Sequence, residues 1–150
     1  MAIIHFELED LKEVGRVGDL GSLLECIQQV LPEDAVLYLE GSRRHMAPEL
    51  REFLEANPVP RPAEIPKGTS WPKSAQYHLE TSDPNLNQLR VIESRHLQPE
   101  VCDHLIVYRG HEVLMTAYDA GHGDVYVSKS LPAEDIDRMK RILLAADQEP

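Results

Sequence analysis

Seven histidines, at positions 5, 45, 78, 96, 104, 111 and 122, are the first residues to ask for chemistry. None stands in H-x-x-x-H or H-E-x-x-H, so no helix presents two metal ligands one turn apart. His96, Cys102 and His104 fall close together, but their spacing matches no structural zinc pattern and a fourth ligand is missing. No metal site is assigned. The stretch Tyr118-Asp119-Ala-Gly-His122-Gly-Asp124 is the densest polar motif. An aspartate that orients a histidine makes a general base, so Asp119 and His122, helped by His104 or His78, are the catalytic candidates of a small hydrolase-like enzyme. An EF-hand is excluded, because its alternating oxygen ligands and later glutamate are missing. The packing alternative is a hairpin loop whose glycines supply turn geometry and whose aspartates cap the backbone.

Nucleophilic catalysis finds little support. No G-x-S-x-G elbow occurs. Cys102 stands between Glu100 and Asp103, which would raise a thiol's pKa rather than lower it. Cys102 and His104 share a strand face only if that strand begins early. Gly15, Gly18 and Gly21 lack the order of a phosphate-binding loop, and no cofactor is expected. The candidate contact residues are Trp71, the single tryptophan, with the acidic Asp103, Glu112, Asp119 and Asp124. Tryptophan either anchors a loop to a core or projects as a contact residue.

The elements that would position these groups can be read from periodicity. Ala2 to Leu8 alternates as a half-buried strand. Gly15 to Gly21 reads as a loop. Asp19 caps a helix whose stripe is Leu20, Leu23, Leu24, Ile27 and Leu31. Ala35 to Glu40 is apolar on both faces, as in an interior strand. Pro48 opens a second helix, stopped by Asn57-Pro58. Residues 58–72 hold five of the eleven prolines and cannot be regular structure. With some 57 residues before it, this stretch reads as a loop inside one domain covering 1–150. Tyr77 to Leu79 is a short strand, and a helix runs from Asp83-Pro84 to about His96. His104–Tyr108 and Val113–Tyr118 form a hairpin turned by Arg109-Gly110-His111. Val125–Ser128 adds a third strand, and a last helix runs from about Pro132 to Ala146 with Ile136, Met139 and Leu143 inside. Three consecutive strands with helices on one side predict an α+β two-layer sandwich, mostly antiparallel.

The chain has 150 residues, 42% of them hydrophobic, and a formal net charge of −11. Its length suits one domain, and its hydrophobic fraction argues against disorder. The acid excess disfavours nucleic acid and anionic membranes as partners. The charge divides as −5 over residues 1–75 (8 basic, 13 acidic) and −6 over residues 76–150 (7 basic, 13 acidic). It is therefore neither an acidic tail nor a basic arm. No signal-peptide pattern or membrane-spanning run is present, and a cytoplasmic protein with two reduced thiols is expected.

Five segments carry a resemblance: Gly68-Thr-Ser-Trp71-Pro72, Pro99-Glu-Val-Cys-Asp-His104, Val107-Tyr108, Tyr118-Asp119-Ala120 and Tyr126-Val-Ser-Lys-Ser130. Across residues 35 to 143 the chain resembles an uncharacterised family of small acidic bacterial proteins. These look like toxin-neutralising immunity proteins. The resemblance implies a protein partner, such as a cognate toxin, and no catalytic residue. Small size and acidity point the same way, to a non-enzymatic binding protein, monomeric or homodimeric. The alternatives are the small enzyme above and an interaction or regulatory domain, dimeric through the exposed edge of the strand meander.

Overall fold

A computed structural model describes residues 8–16, 19–42, 44–65, 74–97, 100–118 and 123–148. Six strands form one antiparallel sheet: β1 (Leu11–Arg16), β2 (Val36–Ser42), β3 (Ser74–Glu80), β4 (His104–Arg109), β5 (Glu112–Tyr118) and β6 (Asp124–Ser128). Their order across the sheet is β1-β6-β5-β4-β2-β3. Four helices, α1 (Leu20–Val30), α2 (Pro48–Ala56), α3 (Asp83–Glu93) and α4 (Ala133–Gln148), cover one face. Neighbouring helices lie in the order α4-α1-α3-α2, with α4 against β1 and α2 against β3. This is the expected α+β two-layer architecture.

The helix layer buries the stripes that periodicity marked. Leu20, Leu23, Leu24 and Ile27 of α1 join Met139 and Leu143 of α4 and Leu86, Leu89 and Ile92 of α3. Beneath them lie Leu37 and Leu39, Leu105 and Val107, Met115 and Ala117, and Val125 and Val127, which alternate along their strands as a buried face requires. Asp19 caps α1 by accepting the Ser22 amide at 2.7 Å. Gly110 (φ 62°) turns the β4–β5 hairpin in the left-handed region that glycine occupies freely.

Three expectations need correction, and a fourth is not tested. The Ala2–Leu8 strand falls almost wholly outside the described residues, and Leu8–Asp10 is a 3₁₀ turn. The first described strand is Leu11–Arg16, which periodicity did not mark and which runs into the loop expected from Gly15. Its register with β6 shifts between Glu13 and Gly15, so Leu11 and Val14 are buried three apart and the period-2 signal is lost. The helix that starts at Asp83-Pro84 ends at Glu93 rather than at about His96. The β4-β5-β6 meander has no open edge, because β2 flanks β4 and β1 flanks β6. Among the described residues the sheet ends at β1 and β3.

The proline-rich segment begins as a strap on the face opposite the helices. Ala63 and Ile65 bury themselves there against Tyr38, Ile106, Tyr108 and Val113. A bulge makes this second cluster possible. Val107 pairs with Met115 but Tyr108 pairs with Val113. Leu114 is thus the extra residue, and Val113 faces the strap while Leu114 and Met115 both face the helices.

Thr81 staples the corner where β3 leaves the sheet. It is 2% exposed, donates its hydroxyl to the Pro32 carbonyl at 2.8 Å, and accepts the Ala35 amide at 3.1 Å. Thr81→Val removes both bonds and leaves a buried amide unpaired. A loss of about 1–3 kcal/mol in urea unfolding is expected.

Candidate functional site

Strand register alone brings together residues far apart in the chain on the strap face. One row across the sheet is His104, Glu40, Gln76. The next is Thr116, Ile106, Tyr38, His78. The third is Val113, Tyr108, Val36, Glu80. Each row combines ionisable and aromatic side chains on an otherwise apolar floor.

Glu40 is the centre of this arrangement, with a side chain 0% exposed. Burying a carboxylate is costly unless hydrogen bonds and charge partners offset the lost hydration. Tyr38 donates its hydroxyl to Glu40 Oε1 at 2.6 Å. Gln76 donates to Tyr38 Oη at 2.7 Å and to the Ile65 carbonyl of the strap at 3.1 Å. Nε2 of His104 lies 3.9 Å from Glu40 Oε2, and the His104 side chain is 12% exposed. A buried carboxylate beside a nearly buried imidazole can orient that ring and hold or pass a proton.

A second hydrogen-bond chain lies one row away. Tyr108 Oη accepts the Ala63 amide at 3.0 Å and sits 2.8 Å from His78 Nδ1. Burial raises the Tyr108 pKa and holds the phenol neutral, so the hydroxyl can donate to the ring or accept from it. Burial lowers the His78 pKa to about 4, so the ring is neutral at pH 7, with one nitrogen a donor and the other an acceptor. The sheet residue His78 thus reaches the strap through one tyrosine.

The expected site residues divide between two ends of the sheet. Trp71, Asp119 and His122 lie outside the described residues. His104 opens β4, and its register partner Tyr118 immediately precedes Asp119 in the chain. Asp103 stands at the same end, where its amide donates to the Glu40 carbonyl at 2.8 Å. Asp124 opens β6 there and faces Arg16 at 3.6 Å. Glu112 is at the far end of β5, roughly 20 Å away at the rise of a strand. It meets Ser128 and Ser130 instead. The sequence reading named His104 and His78 but missed Glu40, Tyr38, Gln76 and Tyr108.

The other reactive groups separate. Cys102 packs in the helix-side core while His104 faces Glu40, so they share no site. Burial and the adjacent acids push both thiols to about 12, which leaves them protonated and poor nucleophiles at pH 7. His96 lies apart from both, 3.4 Å from Glu49 and 3.7 Å from Glu100. Among the described residues no three His, Cys, Asp or Glu side chains converge as metal ligands. No helix of those residues is long and apolar enough to cross a membrane.

Exposed acidity gathers at the corner held by Thr81. Glu33 and Asp34 of the α1–β2 loop, Glu80 at the end of β3 and Asp83 at the start of α3 are all exposed. Glu33 accepts the Asp83 amide at 3.1 Å, which ties the two loops together. Arg109 approaches Asp34 at 3.4 Å, but the pair is exposed and weak. The corner groups four exposed carboxylates, with Arg109 beside one of them. Compared with protein families, curated proteins and solved structures, the chain matches none.

Proposed function

We propose that this chain is a cytoplasmic, non-enzymatic binding protein of the immunity type, which neutralises a bacterial toxin by occupying a basic surface on it. The observation that carries this reading is the acidic corner of Glu33, Asp34, Glu80 and Asp83, preorganised by Thr81 on a molecule of net charge −11. Toxins that act on nucleic acids or nucleotides need basic clefts. An acidic surface of fixed shape gains steering toward such a cleft and excludes its substrate. Isothermal titration against the product of an adjacent gene tests the reading. Asp34→Lys with Glu80→Lys should slow association about tenfold or more at low salt and flatten its salt dependence, leaving stability within about 0.5 kcal/mol. Absence of binding at micromolar concentrations would sink the proposal.

A second reading has one observation in its favour, the Glu40–His104 contact. Here His104 is a general base oriented by Glu40 in a small hydrolase, with Asp119 and His122 following from the end of β5. A hydrolytic substrate screen comparing wild type with His104→Ala and Asp119→Ala decides it. Turnover that survives both substitutions, or no turnover at all, removes the enzyme reading.

A further inference from the structure

The structure assigns a recognition pocket for a basic side chain to the end of the sheet opposite His104; this inference rests on the protein-binding reading above and names its anchor. A cavity of about 360 Å³ opens between the start of β1 and the β4–β5 hairpin. That volume sits at the small end of ligand pockets. Leu11 and Val113 line it and are buried, which suits an alkyl stem. Glu112 and Asp10 stand exposed at its rim.

Glu112 is held in position by hydroxyls rather than by a cation. Ser128, 6% exposed, donates to Glu112 Oε1 at 3.2 Å, and Ser130 bonds the same oxygen. The two serine oxygens also lie 2.7 Å apart, so their two hydroxyl protons serve two of these three contacts at a time, and the Ser130 amide donates to Ser128 Oγ at 3.1 Å. A carboxylate with one oxygen fixed by hydroxyls presents the other in a set direction, which lowers the ordering cost of a charge-assisted bond. Among the described residues Glu112 has no lysine or arginine partner. The nearby Lys129 also lines the cavity, but its ammonium donates to the Glu9 carbonyl. The His111 ring also lines the cavity, but the two carboxylates beside an ammonium already engaged elsewhere disfavour an anion. The apolar floor ending in a carboxylate fits the stem and head of arginine or lysine.

Titration of the isotope-labelled full chain with a blocked Gly-Arg-Gly peptide, followed by amide shifts, tests the assignment. Saturable shifts are expected at Glu112, Val113 and Ser128 to Ser130 in the millimolar range. The citrulline counterpart, which lacks the charge, should give none. Glu112→Gln should weaken binding about tenfold or more, the value of one charge-assisted hydrogen bond. Shifts that map elsewhere, that persist with citrulline, or that Glu112→Gln leaves unchanged overturn the pocket, as does no shift at all. Unchanged dispersion in the rest of the spectrum shows that the variant is folded. Free arginine in place of the peptide separates the two sources of a guanidinium: binding as tight as the peptide's overturns a protein anchor. The outcome is independent of any toxin. Toxin binding that is intact with Glu112→Gln removes the pocket alone, whereas arginine binding without a toxin partner removes only the function proposed above.

Discussion

Glu40→Ala is expected to destabilise the fold by about 3–5 kcal/mol, because it breaks a buried charged network on one side only. The carboxylate is fully enclosed, and its removal takes away the acceptor of the Tyr38 hydroxyl. It also leaves His104 facing a void at the end of β4. Tyr38 would still accept from Gln76, so the strap would remain linked to β3 through the Ile65 carbonyl. Glu40→Gln provides the control, since it retains volume and an oxygen acceptor for Tyr38. Its cost should be about 1–3 kcal/mol, and the difference between the two variants separates packing from charge. Urea unfolding followed by circular dichroism measures both, with an unchanged slope as the sign that the denatured state is unaffected. A cost below about 1 kcal/mol for Glu40→Ala would mean that the carboxylate keeps much of its hydration in solution.

That network also marks the boundary of what the sequence made legible. The α1 stripe, the Gly110 turn and the β4-β5-β6 meander are local signals, because their periodicities and turn residues are set within a few positions. Even Asp19 as a cap is a property of four consecutive residues. The second face is different in kind. Tyr38 lies between Ile106 and His78, and Glu40 between His104 and Gln76, only because β2 is inserted between β4 and β3. The segment Ala35 to Glu40 reads as apolar on both faces, which is right. It gives no hint that the polar residue at its end is enclosed by partners 36 and 64 positions away in the chain. The β1 strand was hidden for a simpler reason, since its bulge breaks the alternation that would have announced it. Glu112 could be picked out as an acidic contact residue. Its seating by Ser128 and Ser130 depends on β5–β6 pairing and could not.

Acid should loosen the strap before it unfolds the helices, and His78 sets the sign. The ring has its pKa lowered by burial from 6.5 to about 4, so the folded chain binds its proton less readily than the unfolded one. Above pH 6.5 both states are neutral at this position and its contribution is complete. As pH falls, the unfolded chain protonates first, and stability drops between pH 6.5 and about 4 before levelling. The ring is only partly enclosed, which reduces the full linkage value to about 1–2 kcal/mol. Once the ring is charged, Nδ1 can only donate toward the Tyr108 hydroxyl, itself the anchor of the Ala63 amide. Exchange of the Ala63 amide should therefore accelerate over the same range. His78→Asn places an uncharged carbonyl near the Nδ1 position and should remove this part of the pH slope, whatever fixed cost it adds. Glu93 acts in the opposite sense, since burial and then the Asp19 charge raise its pKa and make protonation favour the folded state. Subtracting the His78→Asn profile from wild type cancels that contribution along with every other carboxylate. A difference curve that is flat from pH 7 to 4 would show that the imidazole titrates alike in folded and unfolded chains, and would remove His78 as the link between sheet and strap.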